Sequence, residues 1–160
     1  MKTLSAMLFL SALLSAQDEA KTLQFEAPKE WVKETPSNTM RKAQYKVPDK
    51  EKKSKDAELL LFYFGANSGT IPMNLKRWAG QMGQTEAKPE TIEGKCKITL
   101  VDLKGVYTEG QGKDPLPDAR MLAAVVETES GPWYFKMVGP AETVGDWREA
   151  LITLLKAAKL

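Results

Sequence analysis

Histidine is absent from the 160 residues, and cysteine occurs once, at Cys96. Without an imidazole there is no Ser-His-Asp or Cys-His nucleophile, no histidine-based zinc motif and no two-His-one-carboxylate iron site. A single cysteine makes no intramolecular disulfide, thiolate zinc site or iron–sulfur cluster. Cys96 alternates with Ile98 and Leu100 along one strand face, which predicts a buried, inert thiol. An excess of one charge is missing too: 23 Lys and Arg stand against 21 Asp and Glu. That near-balance, with no basic patch interleaved by aromatics, leaves no footprint for nucleic acid. No calcium loop has the required carboxylate spacing, and the turn at 65–70 lacks the lysine and spacing of a phosphate loop. No metal or cofactor is expected.

Long apolar runs are equally scarce, and the notable one stands at the start. Lys2 precedes a nearly unbroken apolar stretch from 4 to 14, and Ser15-Ala16 then gives way to Gln17, Asp18 and Glu19. A basic start, a short apolar core and a small residue before a polar segment are the three parts of a secretory signal peptide. The core is too short for a membrane anchor, and no lipid-attachment cysteine follows it. The expectation is a signal peptide over 1–16, with Ala20 as a later cleavage alternative. Residues 17–160 then form a single exported α/β domain in a periplasmic or extracellular space, with no stable membrane anchor.

Within that segment, 22–25 reads as a short strand and 40–47 as an outer strand, with Arg41, Ala43, Tyr45 and Val47 on one face. The charged tract 50–55 reads as a solvated loop. Residues 59–64 and 121–126 have no polar face, so both predict central strands covered above and below. Residues 71–82 predict a helix with Pro72 in its first turn and Gly83 at its end. Its apolar stripe is Leu75, Ala79 and Met82, bordered by Trp78. Residues 95–103 predict a long strand, with 105–108 as its bent continuation or the next strand of a hairpin, and 109–119 an exposed loop. The turn at 130–132 joins two strands through a loop looser than the two-residue type. Asp146 and Glu149 have capping-box spacing, with Thr143 an earlier start, ahead of a terminal helix striped by Trp147, Ala150, Leu151, Leu154, Leu155 and Ala158.

This order, with Phe25-x-x-Pro28-x-x-Trp31, the 59–64 strand and the Gly139-Pro140 exit into a helix, resembles the Mog1/PsbP-like fold. That resemblance implies an α+β protein: an α/β/α sandwich around an antiparallel sheet. The segments 74–81 and 135–140 are also similar to those of secreted bacterial proteins of uncharacterised role. Known members of the fold include photosystem II extrinsic subunits and a Ran-binding nuclear import factor. No residue pattern carries either role to this chain.

The candidate binding residues begin with Asn74, Arg77, Trp78 and Gln81, which spacings of three and four place on one helical face. A guanidinium, two amides and an indole suit a carboxylate, a sugar or a peptide backbone. The plainer alternative is that Trp78 packs on the sheet while the polar groups tie down a loop. Lys136 lies in an aromatic strand, sharing a face with Tyr134 and Val138; it either snorkels to an edge or meets Glu127 or Glu129. Arg120, just before an apolar strand, is either a loop clamp or an anion reader. Asp114 with Asp118, and Glu127 with Glu129, are the pairs open to acid chemistry. Three functions follow as expectations. The first is a non-enzymatic exported binding or assembly module, whose partner is an envelope protein or a small polar ligand. The others are a carboxylate-based envelope hydrolase and a structural accessory without a small ligand.

Overall fold

A computed structural model describes residues 22–110 and 112–160. The expected leader lies outside the described residues. Seven antiparallel strands form one sheet in the order β1-β2-β3-β7-β6-β5-β4. They are β1 (Val32–Glu34), β2 (Arg41–Val47), β3 (Ala57–Tyr63), β4 (Glu90–Glu93), β5 (Lys97–Tyr107), β6 (Leu116–Thr128) and β7 (Gly131–Pro140). Helix α1 (Ile71–Gln81) follows β3, and α2 (Ala141–Asp146) and α3 (Arg148–Ala157) follow β7.

Strand alternation sends side chains to two separate cores, one on each face of the sheet. Leu59, Leu61, Phe135, Met137 and Leu122 meet Val144, Trp147, Leu151 and Leu155 of the terminal helices. Met121, Ala123, Val125, Tyr134 and Val138 meet Trp78 and Met82 of α1 and its C-cap. The molecule is therefore an α/β/α sandwich, as the doubly apolar segments require. β7 is the middle strand. In one row Phe135 lies between Leu61 and Ala124; in the next, on the opposite face, Lys136 lies between Leu60 and Ala123. Burying a side chain such as Phe135 contributes roughly 2–3 kcal/mol.

Several elements differ from expectation for identifiable reasons. Residues 22–25 make only an isolated bridge, Gln24 to Lys159. β2 is not outermost, because β1 pairs outside it. A register shift between Arg41 and Ala43 adds a residue to β2, so Arg41 stands opposite Phe62 whereas Ala43 stands opposite Leu61. Such a bulge re-aims a side chain, and it puts Arg41 on the α1 face, away from Ala43 and Tyr45. The polar β4 forms an edge that its composition does not announce. Of the two readings of 105–108, the continuation holds, since β5 runs to Tyr107, whereas β6 begins inside the expected loop at Leu116. Thr128 pairs with Gly131, so the β6–β7 connection is the tight two-residue type.

In α1 the buried line runs through Asn74, Trp78, Ala79 and Met82, while Leu75 is half-buried. The helix is thus rotated so that Trp78 points into the core. Thr70 caps it, accepting from the Met73 N–H. No side chain caps the terminal helix: it starts at Ala141 and breaks at Trp147, with the expected capping box unformed. Trp147 fills that break, packing edge-on against Trp31 at 5.7 Å and donating its indole N–H to the Pro48 carbonyl at 2.7 Å. The 50–55 tract is exposed, as expected of a solvated loop. The backbone N–H groups of Ser54, Lys53 and Glu51 donate to Asp49 and hold its carboxyl below the usual carboxylate range.

Candidate functional site

The site sits on the α1 face, beside the helix, where the end of β5 folds over the sheet. Gly105 lets that strand approach closely: a Cβ there collides with the Met82 carbonyl at the end of α1. The Thr108 N–H then donates to the Gln81 carbonyl at 2.9 Å. This brings Tyr107 over the middle strand and Glu109 across to β2. Lys136 Nζ donates to the Tyr107 hydroxyl at 3.2 Å. Arg41 Nη2 meets Glu109 Oε1 at 3.1 Å, and its Nη1 donates to Gln44 Oε1 at 2.9 Å. Gln44 in turn donates to Glu34 at 3.0 Å, and Lys113 pairs with Glu109.

Next to this network opens a pocket of ≈ 210 Å³. Phe62, Phe64 and Tyr134 form its sheet-side wall, Trp78 faces them from α1, and Met40 flanks it. Phe62 and Phe64 stack at 6.0 Å, and Trp78 meets Tyr134 edge-on at 6.4 Å. The Tyr134 hydroxyl is tied to Ser68 Oγ at 3.0 Å, which fixes that ring. The polar lining is Arg77, Gln81 and Lys136. Met40 and Phe64 are exposed, as is Met73 on α1.

The two cations of this pocket have no carboxylate partner within 4 Å among the described residues. Arg77 Nη2 donates to Asn74 Oδ1 at 2.7 Å, and Asn74 donates to the Thr70 carbonyl at 3.0 Å. Asn74 thus orients the guanidinium from below. Among the described residues Lys136 hydrogen-bonds to Tyr107 alone, and the oxygen of the Gln81 carboxamide is buried without a partner. Arg41, Arg120 and Arg148, by contrast, are all paired with acids.

Burial pulls the Lys136 amine down to about 8; Glu109 and Glu58 act to raise it, while Arg41 and Arg77 push it lower. Burial also lifts the Tyr107 phenol above its ordinary range, reinforced by Glu109 and Glu58. For Glu109 burial acts upward, yet Lys113, Lys136 and Arg41 hold it below its ordinary value. The site combines a recessed, weakly basic amine, an exposed guanidinium and an aromatic wall. That set can hold an anion beside an apolar group.

Of the residues singled out from sequence, Arg77, Trp78, Gln81 and Lys136 line one pocket, with Asn74 supporting Arg77. Trp78 is only 2% exposed, so it serves the core and the wall together. Arg120 does not join them. It projects from the opposite face of β6, where Nε and Nη2 donate to the two oxygens of Asp102 at 2.8 and 2.6 Å. Arg120 is a clamp there, because alternation sends residues 120 and 121 to opposite sides of the sheet. Lys136 does not meet Glu127 or Glu129: Glu127 pairs with Lys97 at 3.4 Å, and Glu129 is exposed. Asp114 and Asp118 are exposed as well. Sequence reasoning placed Tyr134 on the Lys136 face but missed the wall residues Met40, Phe62 and Phe64, and the partners Arg41, Tyr107 and Glu109. Strand alternation was the available signal: it puts Phe62 with Phe64, and Tyr134 with Lys136, on shared faces.

A larger hollow of ≈ 840 Å³ runs between residues 24–29 and α3 on the other face. Its lysines Lys29, Lys95 and Lys159 are all exposed, and no recessed charge converges there.

The sheet with a helical layer on each face, a folded-over hairpin tip and a small aromatic pocket defines the architectural class. The fold is PsbP-like. It matches the solution structure of cyanobacterial PsbP (CyanoP) from Synechocystis sp. PCC 6803 with a TM-score of 0.53 and 10% sequence identity, covering 86% of this chain and 92% of that one. At that identity the likeness is one of fold. No protein-family model matches the sequence, and no curated protein matches it.

Proposed function

We propose that the protein is an exported, non-enzymatic binding or assembly module of the cell envelope, and that it works through the pocket on the α1 face. One observation carries this reading: two cations without acid partners among the described residues share a pocket with an aromatic wall and an exposed apolar rim. Arginine and aromatic side chains beside such a rim are the composition of a protein-docking surface. The carboxylates weighed for hydrolysis lie apart, exposed or paired, which favours binding over that alternative. Export rests on the leader pattern of the first sixteen residues. The PsbP-like fold is compatible with an accessory role.

Comparative capture from fractionated envelope tests the reading. Wild type and Arg120→Ala are expected to retain the same partner, while Arg77→Ala loses it with its melting temperature unchanged, since Arg77 is exposed. Equal capture by all three proteins would overturn the proposal.

A further inference from the structure

The geometry points to a specific occupant for this pocket: the carboxy-terminal residue of a partner protein, with an apolar side chain. The inference deepens the reading above and rests on it. A pocket for a drug-sized ligand is about 300–1,000 Å³; this one, at ≈ 210 Å³, has room for a single side chain. Its wall of Phe62, Phe64, Tyr134 and Trp78 is apolar, so the entering group is apolar.

Charge completes the match. Arg77 has nitrogens free beyond its bond to Asn74, and Lys136 keeps protons beyond its bond to Tyr107. A buried ammonium without an acid partner favours an anion, and the exposed guanidinium beside it suits a carboxylate. Gln81 lines the same pocket, and its carboxamide oxygen has no donor among the described residues, which suits a ligand N–H. Apolar side chain, carboxylate and amide N–H radiate from one Cα only at a chain terminus or in an N-acylated amino acid. Met40 and Phe64 line the pocket and are also exposed, so the apolar surface continues beyond it, which favours a longer chain over the single amino acid.

The test titrates the purified protein with N-acetyl-Ala-Ala-Phe as the free acid, with its carboxamide, and with N-acetyl-Phe alone, following amide and indole resonances by NMR. Leu, Met and Trp replace Phe in parallel. The acid peptide is expected to shift Trp78 and Lys136 signals, and the carboxamide to bind about tenfold or more weaker. Arg77→Gln, at an exposed position, is expected to bring the acid down to the carboxamide's affinity. Lys136→Met is expected to do the same, with the spectrum elsewhere unchanged. Equal binding of acid and carboxamide overturns the inference, and so does N-acetyl-Phe binding as tightly as the tripeptide. Absence of binding by all four peptides at millimolar concentration overturns it too. If envelope capture still depends on Arg77 in those cases, the docking role survives and the terminal carboxylate alone fails.

Discussion

Lys136 in the middle strand donates to Tyr107 at the end of β5, 3.2 Å away and on the face that carries the pocket. Leu60 and Ala123 flank Lys136 in its row, so the amine finds its polar partner only because the hairpin folds over it. That single bond joins the centre of the sheet to the lip of the site.

Stability rises with pH because of this arrangement. Burial pulls the Lys136 amine down to about 8 in the folded chain, from an ordinary lysine value of about 10.4. Between those values the unfolded chain holds the proton and the folded one does not, so folding gains as pH climbs from about 8 towards about 10.4. The cost below pH 8 is of the order of 3 kcal/mol, at about 1.4 kcal/mol per pH unit. Tyr107 has the opposite sign: its raised phenol contributes stability that is lost as pH rises beyond 10. Urea midpoints are therefore expected to climb from about pH 8 to 10 and then to turn down as the Tyr107 contribution is lost. Lys136→Met is expected to be about 1–2 kcal/mol more stable than wild type at pH 7, with the gap closing by pH 10. A flat wild-type profile over that range contradicts the burial of the charge.

On the opposite face, Asp102 responds to acid. Burial acts to raise its carboxyl, but hydrogen bonds and charges from Arg120 and Arg148 outweigh that and hold it low. A lowered carboxylate contributes stability above its unfolded value near 3.9, and loses it as pH falls through the folded one. Asp102→Asn is expected to cost about 1 kcal/mol at pH 7, since this clamp is partly exposed. It is also expected to flatten the acid limb below pH 4 in a thermal-melt series. The pocket should be untouched, because the sheet separates the two.

Two glycines make a matched pair. Gly105→Ala drives a methyl into the Met82 carbonyl and is expected to destabilise by roughly 1–3 kcal/mol, displacing the end of α1 that carries Gln81. Gly80→Ala meets nothing within 4 Å and lies inside α1, so it is expected to stabilise by about 0.5–1 kcal/mol. Paired melting temperatures check both signs.

The sheet was legible wherever a segment was apolar on both faces, since only a covered central strand accommodates residues 59–61 or 121–126. β4 was not, because Glu90–Glu93 is an exposed edge whose pairing comes from β5 and leaves no hydrophobic pattern. The helical stripe through Arg77, Trp78 and Gln81 was readable because three-and-four spacing is a local property. The rest of the site depends on long-range geometry. A bulge sends Arg41 to the α1 face, and the approach allowed by Gly105 brings Tyr107 to Lys136 from 29 residues away. Arg120 was misplaced for the same reason. A strand residue's face depends on register, and nothing near Arg120 in sequence names Asp102 as its partner.

Direct titration of Lys136, by the NMR shift of its Cε or Nζ, tests the account at its centre. A midpoint near 8 in the free protein, moving upward when the carboxylate peptide is added, is the predicted result. A midpoint near the ordinary lysine value of about 10.4, unmoved by the peptide, would contradict it.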